Sequence, residues 1–153
     1  MLNCVYRVDI EQQCIQRCAE QEDPVLAEFL EQLCILSYLI HSKNMPLAGK
    51  LVKGEQLDAG QFFFRGCHAL PTKALEQAFG KDPQLMLRAS QSLNARQCSF
   101  GDASVEISLF SRVPATFILW AEDDEFPASA SILFDETASA QLPLDAILAA
   151  VNL

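Results

Sequence analysis

Apolar positions follow a helical spacing in the first part of the chain. Ile10, Cys14 and Cys18 recur every four residues among polar side chains, which predicts an amphipathic helix over Asp9–Glu22, capped by its first residue. A second helix is predicted over Pro24–Ser42, since proline is favoured at the first helical position. Its apolar face is wide, which predicts that it is the central packed helix of the fold.

Two shorter helices are predicted in the middle of the chain. Lys50–Gly60 is rich in glycine and predicts a loop with at most one helical turn. Thr72 is a suitable cap for a helix over Lys73–Phe79. Asp82, followed by proline, begins another helix that is expected to extend to about Leu93.

The apolar pattern changes to alternation in the second half of the chain. Three strands are predicted: the alternating Val105–Leu109, the nearly continuous apolar Ala115–Ala121, and Ser129–Phe134. An apolar run of this kind is typical of the middle of a sheet. Phe117 and Trp120 are therefore expected in the core.

These elements predict an α+β fold. N-terminal helices pack on a small antiparallel meander of three or four strands, which a C-terminal helix over Leu144–Asn152 covers. The length of 153 residues predicts a single domain over 1–153, in which 1–23 is a loosely attached N-terminal helix.

Composition and charge exclude several classes of function. Half of the residues are hydrophobic, and 20 acidic against 11 basic side chains give a net charge of −9. The composition argues against a disordered chain, and the charge argues against general binding to nucleic acid or anionic lipid. The start of the sequence shows no secretory signal and no apolar stretch is long enough to enter a membrane, so a cytoplasmic location without membrane insertion is expected.

The mean hydropathy of +0.14 is high for a chain with this charge. Such an apolar excess in a small domain indicates an interface or a pocket. A partner protein or a homo-oligomer is therefore expected.

The six cysteines form no C-x-x-C pair, the spacing typical of zinc sites and iron–sulfur clusters. Two interpretations stay open for Cys4, Cys14 and Cys18. They are reduced thiols that act as small hydrophobic groups, or they form a metal or redox group.

A candidate cofactor site surrounds Cys67 and His68. If the preceding segment is a strand, Phe62 and Phe64 share a face with His68. His68 is then either a buried histidine bonded to the backbone or the polar anchor of an apolar pocket. Such a pocket suits haem, a corrinoid or a metal ion.

Two weaker candidate metal ligands accompany His68. These are His41 and Met45, which lie four residues apart. His41 also has a structural interpretation, because a histidine near a helix C-terminus interacts favourably with the helix dipole.

A second candidate site combines carboxylates with an arginine. Asp102, Arg112, Asp124 and Glu125 would form a catalytic site if they converged at one end of the sheet. Alternatively, Arg112 forms a structural ion pair with Asp124, Glu125 or Asp135. The acidic run that contains Asp124 is then a solvated turn, in which one carboxylate accepts backbone N–H groups. The common motifs of hydrolases, metalloproteases and nucleotide-binding proteins are absent from the sequence.

Five short motifs follow one another at close spacing in the second half. They are Gly101–Ser104, Ser111–Pro114, Leu119–Trp120, Asp124–Ala128 and Ile132–Asp135. The order and spacing of these motifs resemble those of the family described as domain of unknown function 3786. The resemblance extends over about Glu28–Leu153.

The resemblance implies a protein of anaerobic bacteria or archaea. Members of the family resemble proteins that act together with the enzymes of iron–sulfur and corrinoid metabolism. Some members carry an N-terminal four-cysteine cluster domain, and the cysteine spacing of this chain does not match it. The resulting hypothesis is an accessory or binding module that contacts a partner protein or a bulky haem- or corrinoid-like cofactor. Two alternatives stay open: a small enzyme with a carboxylate–arginine site, and a structural oligomer subunit.

Overall fold

A computed structural model describes residues 1–2, 4–18 and 23–153 as a mixed α/β fold. The strands in these ranges are β1 Val5–Asp9, β2 Cys14–Cys18, β3 Val25–Leu26, β4 Leu51–Lys53, β5 Arg96–Gln97, β6 Ala103–Phe110, β7 Val113–Trp120 and β8 Ser129–Asp135. The α-helices are α1 Phe29–His41, α2 Gly60–Phe63, α3 Thr72–Phe79, α4 Pro83–Ala89, α5 Ala138–Gln141 and α6 Leu144–Val151. Among the described residues, no helix combines the length and the apolar character needed to cross a membrane.

The first predicted helix is wrong, because its segment forms a β-hairpin. Strands β1 and β2 pair antiparallel from Val5 opposite Cys18 to Asp9 opposite Cys14. The turn between them is closed by Asp9, whose Oδ1 accepts the amide of Gln12 at 2.8 Å. Strand β3 adds to β2 and completes a three-stranded sheet. Residues 19–22 of the predicted helix lie outside the described residues.

Helix α1 begins later than the sequence predicts. Val25–Leu26 is strand β3, and the helix starts only at Phe29. The start is fixed by Glu31, whose Oε2 accepts the backbone amide of Glu28 at 2.7 Å and so satisfies one of the amides at the helix start. The predicted end near Ser42 is confirmed within one residue.

The second sheet has five antiparallel strands in the order β4-β8-β7-β6-β5. Its three central strands, β6, β7 and β8, correspond to the three predicted strands. The short edge strands β4 and β5 enlarge the sheet beyond the predicted meander, and β4 lies within the segment that was predicted as a loop.

Helices cover one face of this sheet. The side chains of Val105, Ile107 and Leu109 on β6 and of Phe117 on β7 lie on this face, where they meet α3, α4 and α6. The predicted helices of the middle and of the C-terminus are confirmed as α3, α4 and α6, with a 3₁₀ turn over Ser90–Leu93 that continues α4.

The two aromatic residues predicted on the central strand have different surroundings. Phe117 is buried, with 8% of its surface exposed, which confirms the prediction for this residue. Trp120 is 42% exposed, so its predicted burial is wrong. The reason is position along the strand: Trp120 is the last residue of β7, at the end of its pairing with β8, whereas Phe117 lies in the middle of the strand.

The exposure of Trp120 predicts a small effect on stability. We expect Trp120→Ala to lower the free energy of unfolding by less than about 1.5 kcal/mol, well below the ~3–5 kcal/mol typical of a buried tryptophan. Chemical denaturation followed by circular dichroism measures this difference. A loss above about 3 kcal/mol would contradict the exposed position of the ring.

Candidate functional site

The candidate catalytic residues lie at opposite ends of the sheet. Asp102 directly precedes β6, and Asp124 and Glu125 follow the end of β7, which lies beside the start of β6. Arg112 lies in the turn between the two strands, at the other end. Eight strand residues separate the two ends by about 25 Å. The expected convergence of a carboxylate–arginine site therefore does not occur.

The predicted ion pair of Arg112 is wrong. Its guanidinium donates instead to Oδ1 of Asn44 at 3.1 Å, on the surface. Among the described residues, no carboxylate lies within ion-pair distance of Arg112. Asp135, one of the expected partners, is buried and accepts hydrogen bonds from Ala48, Gly49 and Thr137.

The acidic residues near the end of β7 have structural contacts. Oδ1 of Asp123 accepts the amides of Glu125 at 2.8 Å and Phe126 at 2.7 Å, which confirms the interpretation of this run as a solvated turn. Oδ2 of Asp102 accepts the amide of Ala121 at 2.8 Å and so fixes the end of β7.

The segment around His68 is helical, so the predicted strand geometry is wrong. Helix α2 and a 3₁₀ turn over Gly66–His68 replace the strand. Phe64 is consequently buried, whereas Phe62 is exposed on the surface. The imidazole of His68 stacks on Phe63 with ring centroids 4.7 Å apart. Both His68 and Cys67 are exposed.

His41, one of the weaker candidate ligands, lies in the last turn of α1. Its Nδ1 donates to the carbonyl oxygen of Ser37 at 2.8 Å, as expected for a histidine near a helix C-terminus. Met45 lies beyond the end of the helix. No three histidine, cysteine or carboxylate side chains are grouped to hold a metal ion within the part of the chain that the structure describes.

The N-terminal cysteines do not form a cluster. Cys14 and Cys18 begin and end strand β2, and with three residues between them they lie about 13 Å apart. Cys4 precedes β1 and is exposed. The hairpin therefore separates two of the thiols that a helix would have placed one turn apart.

The most unusual surface of the described structure is the outward side of α1. The inward side carries Glu31, Cys34 and Ile35, which are buried. On the opposite side lie four large apolar residues, here called the α1 outer face. They are Phe29, Leu33, Leu36 and Ile40, with 77%, 45%, 46% and 74% of their surface exposed.

Polar contacts fix the rotation of α1 and thereby direct its outer face to solvent. The hydroxyl of Tyr6 donates to Oε1 of Glu31 at 2.6 Å, and Arg17 lies 3.6 Å from the same oxygen. The Sγ of Cys34 donates to the carbonyl oxygen of Ala146 on α6 at 3.7 Å. These contacts tie α1 to the hairpin on one side and to α6 on the other.

An aromatic contact anchors the C-terminal half of the helix. The ring of Tyr38 stacks on Phe110 at the end of β6 with centroids 4.3 Å apart, and its hydroxyl is 2.9 Å from Oγ of Ser111. The helix is therefore held along its whole length with the outer face outward.

The groups that hold α1 have shifted pKa values. Burial and the hydrogen bond to Glu31 raise the pKa of Tyr6. Burial alone would raise the pKa of Glu31, but the Tyr6 hydroxyl, the Glu28 amide and Arg17 together hold that pKa below its usual value. Burial raises the pKa of Cys34 to about 11, so its thiol is protonated and unreactive at neutral pH.

The other face of the five-stranded sheet carries a cleft of about 580 Å³. Its charged groups already have partners: Arg96 donates twice to Glu106, at 3.2 and 2.9 Å, and Asp135 accepts backbone amides. The charged side chains of the cleft are thus already engaged in an ion pair or in hydrogen bonds within the fold, and the cleft gives less reason for a site than the α1 outer face.

The whole chain, residues 1–153, matches the model of the family described as Domain of unknown function (DUF3786). The match confirms the resemblance seen in the second half and extends it through the N-terminal hairpin. No curated protein and no solved structure matches the chain.

Proposed function

Because the chain belongs to the family of domain of unknown function 3786, whose description assigns no activity, we propose its function from the geometry. The chain acts as a non-catalytic interaction module that pairs with a second copy of itself through the α1 outer face. A single observation carries this proposal: an anchored helix directs four large apolar side chains away from its own fold.

The spacing of these residues is that of a helix–helix seam. Phe29, Leu33, Leu36 and Ile40 are separated by four, three and four residues, the alternation of the a and d positions in a heptad. Positions of this kind insert as knobs between the side chains of a second helix. The natural occupant of the α1 outer face is therefore another helix.

The sequence of α1 is self-complementary when two copies run antiparallel. If the two-fold axis passes between Leu33 and Leu36, Leu33 of each copy faces Leu36 of the partner subunit, and Phe29 faces the partner's Ile40. At the flanks, Leu30 faces the partner's Leu39. A patch that complements itself in this way is what a two-fold interface requires.

The charges at the ends of the helix fit the same arrangement. In the antiparallel pair, Glu28 of each copy lies opposite His41 of the partner subunit. Both side chains are exposed, and His41 keeps its Nε2 for a further contact, since Nδ1 is bonded to Ser37. A parallel pair would place the Glu28 carboxylates of both copies at the same end of the seam, and their repulsion favours the antiparallel pairing.

The exposed apolar area suits a dimer of modest affinity. The six apolar residues on the outer face and its flanks expose roughly 600 Å² per copy, taking about 150–250 Å² for a fully exposed large side chain. Two copies would bury up to about 1,200 Å², the lower end of specific interfaces. The outer face itself carries no charge, so the net charge of −9 does not act directly across the seam.

The separation of the candidate catalytic residues also supports a binding role. Asp102 and Arg112, which an enzyme with a carboxylate–arginine site would bring together, lie about 25 Å apart. The exposed apolar side chains of α1 also account for the high mean hydropathy of the sequence.

Removing the seam should abolish the dimer. We expect the wild-type chain to sediment at twice its mass of 16.9 kDa and Leu33→Glu/Leu36→Glu to be monomeric. Four buried like charges at the centre of the pair should weaken dimerisation at least about 100-fold. Sedimentation velocity over a concentration series measures this change, and circular dichroism checks that the variant remains folded.

Leu85→Glu is the matched control, because Leu85 is a leucine of similar exposure on another helix, α4. It should leave the dimer unchanged. The proposal is wrong if the wild-type chain is monomeric up to about 100 µM, or if the double variant dimerises like the wild type. Stable association with a helix of a different protein in place of the second copy would also overturn it.

A further inference from the structure

A separate cavity of about 250 Å³ lies between the helix-covered face of the five-stranded sheet and helices α3, α4 and α6. Its floor is formed by Val105, Ile107, Leu109 and Phe117 of β6 and β7. No residue of α1 lines it, so this cavity is independent of the proposed dimer interface.

The cavity is small and its floor is largely covered. Each of the four floor side chains is at most 8% exposed. The volume of about 250 Å³ is less than one turn of an α-helix occupies, since a helix with its side chains is about 10–12 Å across. The space therefore suits a small molecule.

The lining is unsuited to water. It contains no charged side chain, and its one hydroxyl, that of Ser90, already donates to the carbonyl oxygen of Leu87 at 2.9 Å. A buried water needs two to four polar partners, and an engineered cavity of about 150 Å³ with a similar apolar lining stays dry and binds benzene. A hydrocarbon is therefore the chemical class that fits this lining.

We infer that this cavity binds the alkyl chain of a small uncharged amphiphile. The volume equals that of about eight water molecules in the liquid, at roughly 30 Å³ each, and a methylene group is of comparable size. The polar head group remains at the mouth, where Ala89 and Leu153 are exposed. The net charge of −9 favours an uncharged head group over a carboxylate.

Titration of the full chain with straight-chain alcohols tests the inference. Isothermal calorimetry should show one site per chain for 1-octanol, with an affinity that rises from butanol to about octanol and no further. Octanoate should bind more weakly than 1-octanol, because its charge is repelled by the protein.

Narrowing the mouth should prevent binding. Ala89 lines the cavity and is exposed at the end of α4, so Ala89→Leu keeps the fold and should weaken octanol binding at least tenfold. Ala74→Leu, at an exposed position of α3 outside the cavity, is the matched control and should bind octanol like the wild type.

Two results would overturn the inference. One is the absence of saturable 1-octanol binding to the wild-type chain, and the other is equal binding by the Ala89→Leu and Ala74→Leu variants. In the monomeric Leu33→Glu/Leu36→Glu variant the cavity should bind 1-octanol as the wild type does, since α1 does not line it.

Discussion

Replacing Phe134 with alanine should lower the free energy of unfolding by about 3–5 kcal/mol. The side chain is fully buried on β8, between the neighbouring strands β7 and β4. Its backbone partners are Ala115 and Val52, and its ring centroid lies 6.4 Å from that of Phe64. Because strands surround the site on both sides, they cannot collapse into the cavity that the substitution leaves, and the full cost is retained.

Phe126→Ala is the matched control for this measurement. Phe126 lies in the turn before β8 and is 64% exposed, so its removal should change stability by no more than about 0.5 kcal/mol. Denaturant titration of both variants and the wild type gives the two differences. A loss below about 1.5 kcal/mol for Phe134→Ala would contradict its place at the centre of the core.

The central strands could be predicted from the sequence because alternation is a local property. Val105, Ile107 and Leu109 mark the buried face of β6 without reference to any other part of the chain. The edge strands β4 and β5 are three and two residues long, and they exist only through pairing with β8 and β6. No local pattern predicts a strand that short.

The N-terminal hairpin was missed because its spacing is ambiguous. Residues four apart lie on one face of a helix, but an even separation also places them on one face of a strand. Cys14 and Cys18 satisfy both patterns. The β-branched and aromatic residues of Val5–Asp9, two valines and a tyrosine, are the local signal that favours a strand.

The α1 outer face could be predicted only in part from the sequence. A wide apolar face on a helix is typical of packing against several neighbours, so the sequence predicts a central packed helix over Pro24–Ser42. The structure buries one side of α1 and leaves the other exposed. Sequence reasoning gives the apolar residues of a helix, but it does not show which of them the chain covers itself and which it leaves for a partner.

The role of Asp135 was also beyond sequence reasoning. Its carboxylate binds the amides of Ala48 and Gly49, which are more than 80 residues away in the chain. Such a contact depends on the path of the chain before β4 and has no local pattern. The sequence suggested Arg112 as a partner only because opposite charges attract.

Replacing Asp135 with asparagine should lower the free energy of unfolding by about 2–4 kcal/mol at neutral pH. The carboxylate accepts four hydrogen bonds: 3.0 Å from Ala48, 2.7 Å from Gly49, and 3.0 and 2.6 Å from the amide and hydroxyl of Thr137. An asparagine of the same size presents an NH₂ group to at least one of these donors. The loop before β4 then loses its anchor and a buried amide loses its acceptor.

The difference in the free energy of unfolding between the wild type and Asp135→Asn should become smaller at acid pH. Burial alone would raise the pKa of Asp135, but the bonds from Thr137, Ala48 and Gly49 outweigh it and hold the pKa below its ordinary value of 3.8. A group whose pKa is lowered in the folded state makes its full contribution to stability when the pH is above its pKa in the unfolded state. This contribution is lost as the pH falls through the folded pKa. The difference in stability should therefore be constant above about pH 5 and shrink below the ordinary value of 3.8.

Glu136→Gln serves as the control for this pH dependence. Glu136 is the next residue, and its exposed carboxylate pairs with Lys50 at 2.6 Å on the surface. A surface pair of this kind contributes at most about 1 kcal/mol, so the control should change stability little. Denaturant titrations of the three proteins from neutral to acid pH give the comparison. If the Asp135→Asn difference is as small as that of Glu136→Gln, or does not shrink in acid, the buried carboxylate does not anchor the loop.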